Sequence, residues 1–168
     1  MRIRIFLLIS ASALFFDQIT KLIIQKTMVP YQVKPFIDDI VRFILVYNPR
    51  GVFGLSIASG ISYYVLQMLG IAIVLFFAFR TKSYFYLSSY ALIMGGALGN
   101  LWDRIRLGKV VDFIDMGIKN VRWFTYNLAD LFIVAGIVLL IWAEIFRAKP
   151  QPAKSEPEQS KLEIKTQT

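Results

Sequence analysis

The sequence predicts an all-α membrane protein of four transmembrane helices with a small β-rich insert, and three observations carry that prediction. Of the 168 residues, 57% are hydrophobic and the mean hydropathy is +0.57, too apolar for a soluble domain of this length. Apolar stretches with few or no charges recur over residues 5–24, 61–79, 83–102 and 124–143, each long enough to cross a hydrocarbon core of about 30 Å. Between the first and second stretches the pattern changes, because Pro30 and Pro35 break any helix and Ile40 to Tyr47 is β-branched and aromatic.

The first stretch follows Arg2 and Arg4. Ser10-Ala11-Ser12-Ala13 has the small residues of a secretory cleavage site, but Leu14-Phe15-Phe16 and Leu22-Ile23-Ile24 continue the apolar pattern past it. An uncleaved spanning helix is therefore expected. Asp17 and Lys21 interrupt it four residues apart, on one helix face, where they can pair. The insert, residues 27–59, ends its extended run at Asn48-Pro49-Arg50-Gly51, which is turn chemistry, so a hairpin-like structure lying on the membrane is expected.

The second and third spans are separated only by Arg80-Thr81-Lys82 and must be antiparallel neighbours. Gly95, Gly96 and Gly99 in the third give small-xxx-small spacing, which lets a facing helix approach closely. Val110 to Trp123 mixes apolar residues with Lys119 and Arg122 and predicts an amphipathic surface segment. The fourth span has Asp130 as its only charge. Residues 1–147 read as one membrane domain, and the polar, Pro-containing residues 148–168 as a disordered tail.

The net charge of +8 is spread over loops and ends, which fits contacts with anionic lipid headgroups rather than nucleic acid. Cysteine and histidine are absent, which excludes disulfides, Ser-His and Cys-His pairs and the usual zinc ligands. No metal and no cofactor is expected, and chemistry falls to carboxylates, Lys, Ser, Tyr or backbone.

Four spans return the chain to its starting side, so the N-terminus, the Arg80 to Lys82 link and the tail share one face. Asp17, Lys21, Asn48, Asn100, Asp103, Arg104, Asp112, Asn127 and Asp130 all fall on the other. Asp112 and Asp130 flank one loop that leaves and re-enters the same interface. Two such carboxyl groups in a partly dehydrated site do not both ionise easily, so one keeps a proton while the other is charged. That state suits general acid-base activation of water against an amide carbonyl.

Other readings stay open at this point. Asp103 pairs with the adjacent Arg104 in a purely structural role, and Asp115 reads as a solvated loop acid. A proton-coupled transporter or small channel also uses intramembrane acids, but it predicts mid-span acids and internal repeats, and neither is evident. A structural scaffold predicts that Asp112 and Asp130 are dispensable.

Three motifs carry a resemblance: Gly99-Asn100-Leu101-Trp102-Asp103-Arg104, Val110-Val111-Asp112-Phe113-Ile114-Asp115 and Tyr126-Asn127-Leu128-Ala129-Asp130. Asp17-Gln18-Ile19-Thr20-Lys21, and Asn48 with Gly51-Val52-Phe53-Gly54, add to it. In this order and spacing the chain, up to about Phe146, resembles the lipoprotein signal peptidases, the type II signal peptidases. The resemblance implies a four-helix aspartyl peptidase of the bacterial inner membrane, with both termini cytoplasmic. On the extra-cytoplasmic side it implies the active site, a small β-cradle and an amphipathic surface helix.

By position Asp112 and Asp130 fall on the family's catalytic pair. Asn48, Asn100, Arg104 and Asn127 fall on residues that line the site or hold substrate, with Asp17, Lys21 and Asp103 in support. The implied substrates are diacylglyceryl-modified prolipoproteins, cut just before the modified cysteine, with membrane lipids as the other partners and a monomer as the working unit. One departure is that Pro49-Arg50-Gly51-Val52-Phe53 stands where the family commonly has a Gly-Ala-Ala-Phe-like run, and Arg50 there offers a lipid-phosphate contact. Orientation follows from the Arg2-Arg4 start and the resemblance, because Lys and Arg divide almost evenly between the two faces.

Overall fold

The computed structural model describes residues 1–38, 40–49, 61–118 and 121–147. The chain runs α1 (Arg2–Thr27), β1 (Val33–Ile37), β2 (Val41–Asn48), α2 (Ile61–Arg80), α3 (Tyr84–Leu107), β3 (Val110–Ile118), β4 (Val121–Arg122) and α4 (Leu128–Arg147). The Arg50-Gly51-Val52-Phe53 stretch, Lys119 and the polar tail from residue 148 lie outside the described residues.

Helix α3 is the centre of the bundle and packs against α1, α2 and α4. Its buried positions include Ala91, Met94, Gly95, Gly96 and Gly99, followed by Asn100 and Asp103. Small residues let the neighbouring backbones close in, which is how helices associate where lipid is as apolar as the side chains. At Gly99 the requirement is chemical as well as steric, since a Cβ there would run into the Asp17 carboxylate. Polar groups fasten the contacts: Ser10 Oγ donates to the Ala91 carbonyl oxygen (2.9 Å) and Gln67 Nε2 to that of Ala97 (2.7 Å).

Three helices, Arg2–Thr27, Tyr63–Arg80 and Leu128–Phe146, are long and apolar enough to cross a membrane. Helix α3, whose residues 83–102 read as the third span, is not among them. At roughly 36 Å it has the length, but its packed face mixes Ser89, three glycines and Asn100 with Leu87, Ala91 and Met94, and its last turns hold Asp103, Arg104 and Arg106. The bundle is thus helical, with a small antiparallel sheet attached.

The sheet has the order β1-β2-β3-β4 with antiparallel pairing throughout. Its first hairpin turns between Ile37 and Val41, where Asp38 takes φ 42°, and not at the Asn48 turn that the insert suggested. Met28, Leu45 and Val111 form a small core where the sheet meets α1, with Ile24, Tyr47 and Leu107 packed around it. This core lies at the bundle end, where water competes, and each such side chain contributes about 1.5–3 kcal/mol by burial.

The sheet corrects one expectation. Within Val110 to Trp123, read as an amphipathic surface segment, residues 110–118 and 121–122 are the strands β3 and β4. The apolar residues here are rich in Val and Ile and are buried on both faces of β3 from Val110 to Phe113, a pattern without the one-sided stripe of a surface helix. Gly108 makes the switch possible. It closes α3 with φ 70° and donates its N–H to the Arg104 carbonyl oxygen (2.9 Å), a left-handed cap suited to glycine.

Candidate active site

The strand geometry of β3 sorts its two acids. Side chains alternate across a strand, so Asp112 and Asp115, three apart, face opposite ways. In β2, Val46 lies opposite Asp112 and Asn48 lies opposite Val110, which makes Asn48 the diagonal neighbour of Asp112 on the same face. Asn48 Nδ2 accordingly donates to Asp112 Oδ2 (2.9 Å).

The second acid is placed by the start of α4. Tyr126, just before it, pairs with Ile114 of β3 through N–H to carbonyl bonds of 2.8 and 3.0 Å. Asn127 then caps the helix in a reciprocal box. Its Oδ1 accepts from the Asp130 N–H (3.0 Å), and Asp130 Oδ2 accepts from the Asn127 N–H (3.3 Å), so two backbone donors at the helix start are satisfied. The remaining Asn127 donor group, Nδ2, reaches Asp112 Oδ1 (2.7 Å) and Asn100 Oδ1 (3.1 Å). One fully buried asparagine therefore ties the two carboxyl groups together.

Helix α3 supplies the third side. Asn100 Nδ2 donates to Asp130 Oδ1 (2.8 Å), and its Oδ1 accepts from Lys21 Nζ (2.9 Å). Lys21 is fully buried and also pairs with Asp17 (2.8 Å) and Asp103 (2.9 Å). Asp17 Oδ1 accepts from the Ala129 N–H in the first turn of α4 (2.9 Å), and Asp103 Oδ2 from the Val111 N–H at the start of β3 (3.1 Å). The Asp17-Lys21-Asp103 triad thus clamps α1, α3, α4 and β3 around the carboxyl pair.

The acids now fall into two classes. Asp17 and Asp103 share an ammonium, and Asp115 is held by Arg42 (2.7 Å) and Arg122 (3.0 Å). Asp112 and Asp130 make no ion pair among the described residues; the donors given to their oxygens are neutral amides. Arg104, whose Nη1 donates to Gln67 Oε1 (3.1 Å) and to the Asn100 carbonyl oxygen (3.3 Å), lies in the field of both acids. Burial, with the Asp130 charge in support, pushes the Asp112 carboxyl up to about 7 against the opposing Asn48 and Asn127 hydrogen bonds. No three carboxylates among the described residues come together to hold a metal ion.

Two assignments change. Asp103 does not pair with Arg104, because adjacent helical residues point about 100° apart; its partner is Lys21 on α1. Asp115 is not a solvated loop acid. It is 4% exposed, and although burial works against its charge, the Arg122 and Arg42 guanidinium groups hold the carboxyl below its usual range. The network also adds residues the sequence reading did not single out. Gln18 Nε2 donates to Asp17 (3.0 Å) and Asp103 (3.2 Å), and Tyr64 OH donates to the Arg104 carbonyl oxygen (2.9 Å). Their signal was a polar residue in an otherwise apolar stretch.

The Asp115 clamp gives a first expected result. Asp115→Asn should lower stability by about 1.5–3 kcal/mol, the range for hydrogen bonds to charged groups, because it loosens β2 and β4 from β3. Turnover at saturating substrate should change far less, since the Asp112 face of the strand is untouched. Thermal unfolding followed by tryptophan fluorescence, beside kcat, checks both halves.

A family model described as signal peptidase (SPase) II matches residues 9–146. The lipoprotein signal peptidase of Moorella thermoacetica is 37% identical over 154 residues, covering 87% of this chain and 96% of that protein. That of Burkholderia multivorans is 38% identical over 146 residues, 84% and 87% of the two chains. Two solved bacterial membrane enzymes share the fold. One, at 2.3 Å, has a TM-score of 0.79 and 27% identity over 90% of this chain and 93% of the other; the second, at 1.9 Å, has 0.73 and 29% over 83% and 91%.

Proposed function

The chain belongs to the signal peptidase II family, multi-pass membrane proteases that act on prolipoproteins, and from that premise we propose that it is an aspartyl endopeptidase working through Asp112 and Asp130. Its substrates are prolipoproteins, and the bond cut lies just before the diacylglyceryl-modified cysteine. The supporting observation is the contrast among the acids: these two are held by amide donors and linked through Asn127, while Asp17, Asp103 and Asp115 are neutralised by cations.

In this mechanism one carboxyl of the pair is protonated and the other charged, and we assign the proton to Asp112, whose carboxyl burial pushes up to about 7. Asp130 takes a proton from water as its oxygen attacks the scissile carbonyl carbon, and Asp112 gives its proton to the carbonyl oxygen. As the C–N bond breaks, Asp130 passes its proton to the leaving nitrogen and Asp112 recovers one from the tetrahedral hydroxyl. Asn48, Asn100 and Asn127 hold the two carboxyl groups, and Arg104 offers a cation for the substrate. Asp17, Lys21 and Asp103 fix the helices that carry them.

This reading includes α3 as a fourth span, a bacterial inner-membrane location with both termini cytoplasmic, the carboxyl pair at the extra-cytoplasmic face, and a monomer as the working unit. Acyl chains bound between spans would position the peptide bond, so remote binding energy would appear as turnover. The test is a mass shift on incubating the purified protein with a diacylglyceryl-modified prolipoprotein and with its unlipidated form. Cleavage of the lipidated form alone supports the proposal; equal cleavage of both removes the lipid from recognition.

The pH dependence has a definite sign. Asp112 must be protonated to act as the acid, and with its carboxyl pushed up to about 7 turnover should fall as pH rises through that value. Its folded-state value also lies above the ordinary 3.8, so its contribution to stability is complete below that pH and is lost on going up to about 7. The unfolding temperature in detergent should drop over this window, and Asp112→Asn should flatten the drop.

A further inference from the structure

At the bundle end opposite the carboxyl pair, the start of α1, the end of α2 and the start of α3 enclose a cavity of about 180 Å³ lined by Arg2, Ile3, Phe6, Ala78, Phe79 and Leu87. Phe6, Ala78 and Leu87 are buried and make an apolar wall. Arg2 is the one charged residue of the lining. One terminal nitrogen, Nη2, donates to the Thr81 carbonyl oxygen at the α2–α3 link, while its Nε is buried without a hydrogen-bond partner among the described residues.

A guanidinium in the wall of an otherwise apolar cavity favours an anionic occupant. Water suits the place poorly, since a buried water needs two to four polar partners and five of the six lining residues are apolar. A phosphate oxygen suits it well, because guanidinium N–H groups form short, charge-assisted bonds with phosphate. The surroundings have the matching charge. Arg4, Arg80 and Lys82 are exposed at the same end, and the nearby acid, Glu144, is occupied by the Tyr86 hydroxyl (2.9 Å).

We propose that this cavity is a binding site for an anionic phospholipid, whose phosphate accepts from the Arg2 guanidinium and whose glycerol and upper acyl region lie against Phe6, Ala78 and Leu87. The exposed cations favour a headgroup with no positive charge of its own, which distinguishes phosphatidylglycerol from phosphatidylcholine although both carry a phosphate. The site lies roughly 28 Å from Lys21 along α1, at 1.5 Å per residue. It is therefore separate from the chemistry, and its occupant acts by tying α1 to the α2–α3 link.

The test is lipid binding to the purified full chain in detergent, read by native mass spectrometry as phosphatidylglycerol, phosphatidylcholine or inorganic phosphate is titrated in. Wild type should bind phosphatidylglycerol at least about tenfold more tightly than phosphatidylcholine, given about 1 kcal/mol of attraction per nearby cation. Arg2→Gln, which removes the phosphate contact common to both lipids, should weaken the binding of both at least about tenfold, while Arg4→Gln, outside the cavity, should only reduce the preference for phosphatidylglycerol. Ala78→Leu, which fills the cavity without altering charge, should weaken the binding of both lipids and keeps the test open should Arg2→Gln fold poorly. Prolipoprotein cleavage by Arg2→Gln should stay within about twofold of wild type, as expected for distant, uncoupled sites.

A wild type without preference, an Arg2→Gln protein with undiminished binding of both lipids, or an Ala78→Leu protein with undiminished lipid binding overturns the proposal. Inorganic phosphate binding as tightly as the lipid also overturns it, because the apolar wall would then contribute nothing.

Discussion

Asp112→Asn and Asp130→Asn are each expected to reduce turnover at least about a hundredfold, the lower range for losing a general acid or base, while the protein still folds and binds the lipidated substrate. Each change removes ionisation and almost no volume. Each should also cost stability. At position 112 the NH2 of the new amide faces either Asn48 Nδ2 or Asn127 Nδ2. At position 130 the new amide can keep its oxygen on the Asn127 N–H, but its NH2 then faces Asn100 Nδ2. That group cannot turn away without pointing an NH2 at the Lys21 ammonium. Both proteins should therefore be inactive and less stable than wild type. Single-turnover cleavage together with an unfolding curve separates the effects. Substantial turnover by either purified, folded protein would sink the two-carboxylate mechanism and favour the scaffold reading.

Much of this site could be read in the sequence, because the relevant contacts are either local or forced by connectivity. Asp17 and Lys21 are four apart on a helix and pair. Asn100 and Asp103, three apart near the end of α3, share the face that meets Lys21. The side of the bundle on which the polar groups gather follows from the number of helices between them. What the sequence withheld depends on long-range pairing. Nothing local in Val110 to Ile118 indicates a partner strand, and its apolar residues suit a surface helix as readily as a strand buried on both faces. That ambiguity carried Asp115 with it. On a helix Asp112 and Asp115 would share a face; on β3 they part, and Asp115 meets Arg42 directly across the ladder. The capping box at Asn127 shows the same limit. Its residues fit an Asn at the cap and an acid three positions on, but the free Asn127 Nδ2 reaching Asp112 needs the Tyr126 to Ile114 bridge, eleven or more residues away in sequence.

Lys21→Met is expected to have the largest effect on folding. Its ammonium has three hydrogens and three acceptors, Asp17 (2.8 Å), Asp103 (2.9 Å) and Asn100 (2.9 Å), and all three charged side chains are fully buried. Removing the cation leaves two carboxylates inside the bundle, held by backbone N–H groups and Gln18 alone. Deleting one partner of such a buried pair costs about 3–5 kcal/mol, well above the loss expected at Asp115, where the arginines are partly exposed. The chemistry should suffer for a second reason. Lys21 and Asn127 Nδ2 together fix which way the Asn100 amide points, and only with Oδ1 toward them does Nδ2 face Asp130. A triple replacement, Asp17→Asn, Lys21→Met and Asp103→Asn, removes the unpaired charges together and should recover much of the lost stability, as buried ion pairs replaced as a set often do. It should not recover cleavage in full, because Asn100 Oδ1 then keeps only the longer bond from Asn127 Nδ2 (3.1 Å) and holds Nδ2 on Asp130 less firmly. Recovery of both stability and turnover by the triple variant would mean that the triad only holds the helices together and does not orient Asn100.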